Sequence, residues 1–102
     1  MIKHDLEKDK NLKALCDALL LLKDPKEERA FLIDLCTPAE LRAISERWHV
    51  ARLLDTGEHS YRDIREITGV STTTVGRVAR FMSEEPYQGY AVVLDRQKEQ
   101  EQ

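Results

Sequence analysis

The chain has 102 residues, 34% of them charged, with a formal net charge of −3. That length bounds it to one domain whose core would be buried only marginally by a monomer. The acidic balance excludes a basic coat that grips nucleic acid indiscriminately. Only four Gly and three Pro argue for helices joined by short turns, and the fold class expected is all-α with about six helices. Residues 1–10 are polar and expected to fray. From residue 6 or 12 to residue 22, Leu12, Leu15, Cys16, Leu19, Leu20 and Leu22 follow helical spacing. This Leu-rich stripe is wider than a lone surface helix needs.

Asp24-Pro25-Lys26-Glu27 is a helix start, with an Asp cap, Pro at the first position and Glu at the third. The short helix behind it carries Ala30, Phe31, Leu32, Ile33 and Leu35. Thr37-Pro38-Ala39-Glu40 repeats the signal and opens a long helix to Thr56, stopped by Gly57. Leu41, Ile44, Trp48 and Ala51 form one apolar face of it, which Val50, Leu53 and Leu54 widen. A helix apolar over so much of its girth must be buried on several sides. In so short a chain a second copy is the simplest source of that surface, so a homodimer is expected.

Residues 60–82, SYRDIREITGVSTTTVGRVARFM, carry the densest pattern. Ser60 caps a helix, with Asp63 placed to reach back to free amides, and Gly69 can take the left-handed conformation that ends it. Ser71 is a second cap in front of a second periodic run. Ile64, Ile67, Val70, Val75, Val78 and Met82 lie where the two helices should pack on each other and on a third element. This is the pattern of a helix-turn-helix. The outer face of the second helix presents Thr72, Thr73, Gly76, Arg77 and Arg80, with no acidic residue in 71–82. Such a face, small at its tip and cationic further along, suits a DNA major groove. A helical hairpin that only completes a core is the plainer alternative.

Residues 83–86, SEEP, break the run, and 87–95 read as a final helix with Tyr87, Tyr90, Ala91, Val93 and Leu94. The end, 97–102, has nothing to bury and is expected to be disordered, leaving 1–96 as the domain. The Lys residues fall almost wholly in the first quarter, whereas 38–82 uses Arg and no Lys. Arg is the residue for bidentate contacts to guanine edges and phosphates. Cys16 and Cys36 lie in apolar helical surroundings and read as core thiols of a reducing compartment. His4, His49 and His59 lack metal-ligand spacing, and no nucleophile–base pair or Gly-rich phosphate loop occurs. No metal, cofactor or catalytic site is expected, and a charged N-terminus without a long apolar run points to the cytoplasm.

These residues resemble the Trp repressor superfamily. The likeness runs ungapped over 35–82, through Thr37-Pro38, Glu40, Arg47, Leu53-Leu54, Gly57-Glu58, Ser60, Arg62, Gly69, Thr74 and Arg77. The stretch Pro86-Tyr87-Gln88-Gly89-Tyr90 looks more like the small YerC/YecD-type branch than the tryptophan-responsive repressor. The resemblance implies an intertwined, all-helical bacterial homodimer whose paired helix-turn-helix units face successive major grooves of a palindromic operator in double-stranded DNA. It implies that Arg62 reaches a base and that Arg65 lies at the DNA surface. Ser60, Ser71, Thr72, Thr73, Thr74, Gly76, Arg77 and Arg80 complete the expected interface. In the tryptophan-responsive repressor, arginines matching Arg47 and Arg77 enclose the indole, with a threonine matching Thr37 nearby. Here Val78 stands in place of a glycine and Phe81 in place of a serine. Both add apolar bulk to that pocket, so tryptophan is not expected as corepressor. Arg47 would then pair with Glu46, Asp63 or a phosphate. A protein-interaction module that kept the fold, or a regulator of a different small-molecule effector, are the competing functions.

Overall fold

The computed structural model describes residues 3–101, with side chains from Asp5 onward; Met1 and Ile2, part of the stretch expected to fray, lie outside the described residues. Seven helices and no strand are found among the described residues: α1 (Lys3–Leu6), α2 (Lys10–Leu19), α3 (Pro25–Leu35), α4 (Pro38–Thr56), α5 (Tyr61–Thr68), α6 (Thr72–Ser83) and α7 (Gly89–Gln100). The all-α class holds. The expected first helix is shorter and preceded by a separate turn of helix. Asp9 ends the break between them, its Oδ1 accepting from the backbone N–H of Asn11 at 2.8 Å and of Leu12 at 3.0 Å.

The described residues divide into two compact units, one up to Leu41 and one from Arg42. In the first unit, α2 and α3 contain no buried residue. Its helices are nonetheless well capped. Asp24 accepts from the N–H of Glu27 at 2.9 Å, and Pro25 fills the first helical position. Thr37 and Glu40 form a reciprocal capping pair, Thr37 Oγ1 accepting from the Glu40 N–H at 3.1 Å and Glu40 Oε1 from the Thr37 N–H at 2.9 Å.

The second unit has a core of Val50 and Ala51 from α4, Ile64 from α5, Val70 from the turn, and Val75 and Val78 from α6. Trp48, Leu53, Leu54, Met82 and Tyr90 pack around it. Trp48 and Tyr90 are parallel, with ring centroids 6.4 Å apart and an interplanar angle of 2°. Ile67, expected to be buried, is 52% exposed. It lies three positions after Ile64, which already occupies the inward face of this two-turn helix.

Helix α7 is longer than its sequence pattern predicts. It continues to Gln100, past Asp95, where the last helix is expected to stop from sequence; Gln102 lies outside the described residues. Leu94 is buried, and Lys98 Nζ reaches Asp55 Oδ2 on α4 at 3.0 Å. An ion pair between residues 43 positions apart leaves no mark in the local sequence. Cys16 and Cys36 are free thiols; Cys16, expected in a core, is exposed on this chain.

The cap of α5 carries a test. The Ser60 backbone N–H, then its hydroxyl, and to a lesser extent His59 and Arg62, hold the Asp63 carboxyl below its ordinary 3.8. A depressed carboxylate stabilises the fold fully above 3.8, and that contribution disappears as pH falls through the lower folded value. Asp63→Asn is therefore expected to melt at a lower temperature than the parent at pH 7. The gap should close as thermal unfolding is repeated at pH values falling below 3.8.

Candidate nucleic-acid interface

Two helices and one turn build the site. Ser60 Oγ accepts from the Asp63 N–H at 3.1 Å while Asp63 Oδ2 accepts from the Ser60 N–H at 3.0 Å, so α5 starts at a fixed residue. It ends as sharply. Gly69 takes φ 78°, in the left-handed region where a side chain is disfavoured, and donates its N–H to the Arg65 carbonyl at 2.8 Å. The Thr68 hydroxyl joins the two sides of this turn, donating to the Ile64 carbonyl at 2.7 Å and accepting from the Val70 N–H at 3.0 Å. Sequence reasoning passed over Thr68; a hydroxyl just before a helix-ending glycine was the available signal. Ser71 then caps α6 by accepting from the Thr74 N–H at 3.2 Å.

The faces of α6 divide as the spacing requires. Val75 and Val78 point into the core, while Thr72, Thr73, Arg77 and Arg80 are exposed or half-exposed. Thr74 and Gly76 are half-buried, and Thr74 Oγ1 accepts from the Ser71 hydroxyl at 3.1 Å. Thr74 is thus committed to the cap. Arg62 extends from α5 with its side chain 87% exposed and its Nε 3.5 Å from Glu66 Oε1. A solvated pair one helical turn apart is weak, at about 0.3–0.5 kcal/mol, so Glu66 does not hold Arg62 from another partner. Arg65 is exposed toward the end of the same helix.

At the far end of α6, the Arg77 Cζ lies 4.4 Å and the Arg80 Cζ 5.1 Å from the centroid of the Phe81 ring. Arg80 Nε also sits 3.2 Å from Glu85 Oε1. Val78 is 1% exposed and belongs to the core among α4, α5 and α6. Arg47 is half-buried. Among the described residues it makes no ion pair with Glu46 or Asp63, the acids considered for it; Asp63 is engaged by Ser60. Thr37 serves the α4 cap. Among the described residues no cluster of metal-ligating side chains occurs, and no helix is long and apolar enough to cross a membrane.

The chain is all-α, and its second unit presents two short capped helices joined by a glycine turn, the second without an acidic residue. Residues 10–98 match the family described as Trp repressor protein. The chain belongs to that family. It is 39% identical over 97 residues to the uncharacterized protein YerC of Bacillus subtilis (strain 168), a match covering 95% of this chain and 91% of YerC. Among solved structures, it is similar to a TrpR-like protein from Eubacterium eligens, with TM-score 0.81 and 37% identity over 89% of this chain and 92% of that one. It is also similar to a Trp repressor candidate from Staphylococcus aureus, with TM-score 0.84 and 31% identity over 96% of each chain.

Gly76 gives the site its sharpest intrachain test. A Cβ built there would lie 3.8 Å from Tyr61 Cε2, an ordinary van der Waals separation, so packing within the chain does not require glycine. Gly76→Ala is expected to raise stability by about 1 kcal/mol, the usual helix-interior difference, as read by chemical denaturation.

Proposed function

We propose that the protein is a sequence-specific DNA-binding transcriptional regulator, probing operator DNA as a homodimer in the cytoplasm with α6 in the major groove. The observation that carries this reading is the sorting of α6. Its Val75 and Val78 are locked into the core, which turns Thr72, Thr73, Arg77 and Arg80 outward from a rigid mount. Small polar side chains at the helix tip can meet base edges, and arginines further along can meet phosphates or guanine. Arg62 and Arg65 supply cationic reach from α5, and the free amides behind Ser60 and Ser71 can hold phosphate oxygens. A glycine that packing does not require is suited to a close approach of α6 backbone to DNA.

The homodimer accounts for the apolar surface of the first unit. Leu20 is 85% and Leu21 76% exposed on this chain, and Leu19, Ile33 and Leu35 are exposed as well. Apolar exposure of this kind marks an association surface. A second copy, covering this surface and seating two α6 helices on successive grooves, fits a palindromic operator. The regulatory sign that fits the family is repression.

Tryptophan is not the corepressor in this reading. By the resemblance, Val78 and Phe81 stand where the tryptophan-responsive repressor leaves room for an indole; here Val78 is part of the core and Phe81 lies against Arg77. A second reading, a regulator responding to another small molecule, is favoured by a cleft of about 370 Å³ between α4 and α7, lined by His49, Arg52, Asp55 and Lys98 among others. A ligand-dependent rise in melting temperature would select it.

Two measurements test the proposal. Selection of bound fragments from genomic DNA should yield a palindromic site, and Arg62→Ala should bind it less tightly by roughly 1–3 kcal/mol with relaxed preference at one base position. Equal weakening on selected and random duplexes would reduce Arg62 to a phosphate contact. Calorimetry with L-tryptophan should give no heat of binding; micromolar affinity would overturn the filled-pocket reading.

A further inference from the structure

The end of α6 contains an arrangement that neither fold nor groove reading requires. Phe81 is half-buried on the last turn, and two guanidinium groups of the same helix lie near its ring, at 4.4 Å and 5.1 Å from the centroid. Arg77 precedes it by one helical turn and Arg80 is its neighbour. Like charges brought to one place repel, and exposed arginines ordinarily sample many rotamers. The ring offers a compensating attraction through its negative face.

Glu85 is the second half of the arrangement. The Arg80 carbonyl accepts from the backbone N–H of Glu84 at 2.8 Å and of Glu85 at 3.3 Å. Gln88, in left-handed backbone at φ 54°, donates its side-chain Nε2 to the Glu85 carbonyl at 2.7 Å. The turn after α6 is therefore fixed at both ends, and it delivers the Glu85 carboxylate to Arg80 at 3.2 Å. Arg80 faces an aromatic ring and a carboxylate together, whereas Arg77 faces the ring.

We propose that Phe81 is a positioning residue that preorganises Arg77 and Arg80 for phosphate oxygens of DNA, and that Glu85 is a built-in competitor for Arg80 that phosphate must displace. The inference rests on the DNA-binding reading. Ordering the two guanidiniums before encounter lowers the entropy cost of binding. Glu85 has the opposite effect. It reduces the free charge of the α6 end, which weakens hold on DNA of any sequence and leaves a larger share of affinity to base contacts from Arg62 and the helix tip.

The experiment measures binding to a mixed-sequence DNA duplex across a salt series, for the full chain and four variants. Phe81→Leu and Phe81→Met keep apolar volume and remove the ring; both are expected to bind roughly tenfold more weakly, the scale of ordering two rotamer-rich side chains on binding instead of beforehand. Their plots of log affinity against log salt should be shallower by about one unit for each phosphate that is no longer neutralised, a change that a merely structural role would not produce. Phe81→Trp keeps a ring and should retain the parent slope. Glu85→Gln should bind a few-fold more tightly.

Ring-free variants that melt near the parent temperature yet bind with parent affinity and slope would overturn the positioning role. Parent affinity in Glu85→Gln would overturn the competition. Should the ring-free variants fail to fold, ring-current shifts of the Arg77 and Arg80 Nε–H protons in the parent carry the test; resonances at their ordinary positions would overturn the stacking of guanidinium on ring. A parent protein that binds no duplex at low salt overturns the DNA-binding reading itself, an outcome distinct from the others.

Discussion

At Gly69 the backbone turns left-handed, and the placement of α6 against α5 follows from that one residue. The turn holds because its polar groups are satisfied locally. The Gly69 N–H goes to Arg65, and the Thr68 hydroxyl links Ile64 to Val70. With Ser71 capping immediately beyond, neither helix can slide by a residue without orphaning an amide. Ile64, Val70, Val75 and Val78 then close over Val50 and Ala51. The polar turn fixes the angle and the apolar core fixes the rotation. The outward face of α6 is the remainder after both constraints are met.

Charge is distributed to match. The chain is acidic overall, yet its turn-and-helix segment carries arginines on an outer surface without carboxylates between Ser71 and Met82. Three acidic groups close to the segment lie against local partners. Asp63 serves the α5 cap, Glu66 lies against Arg62, and Glu85 lies against Arg80. Local cationic character inside a net negative molecule favours selective over indiscriminate contact with a polyanion.

The two units contrast in how their stability is organised. The second has a buried core in which helices from across 48–94 meet. The first has capped helices and exposed leucines, but no buried residue in α2 or α3. Caps stabilise helix ends; they do not substitute for apolar burial, which supplies most helical stability in water. A chain built this way requires further apolar contact for its first half, and the exposed Leu19–Leu21 run is where that requirement is concentrated.

The sequence by itself determined the all-α class, the starts of α3 through α6 and the glycine turn. Each depends on residues within one helical turn, such as Ser60 with Asp63 or Thr37 with Glu40, and so is written locally. It also determined which side of α6 is polar, because helical spacing separates Val75 and Val78 from Thr72 and Arg77. Tertiary structure decided the rest. The extension of α7 to Gln100 involves an ion pair 43 positions away, and the exposure of Ile67 depends on how much of a short helix the core can cover. The engagement of Phe81 by two arginines and of Arg80 by Glu85 needed the folded end of α6 to bring four side chains together. Composition records that those residues exist; only three-dimensional proximity sets which of their attractions are realised.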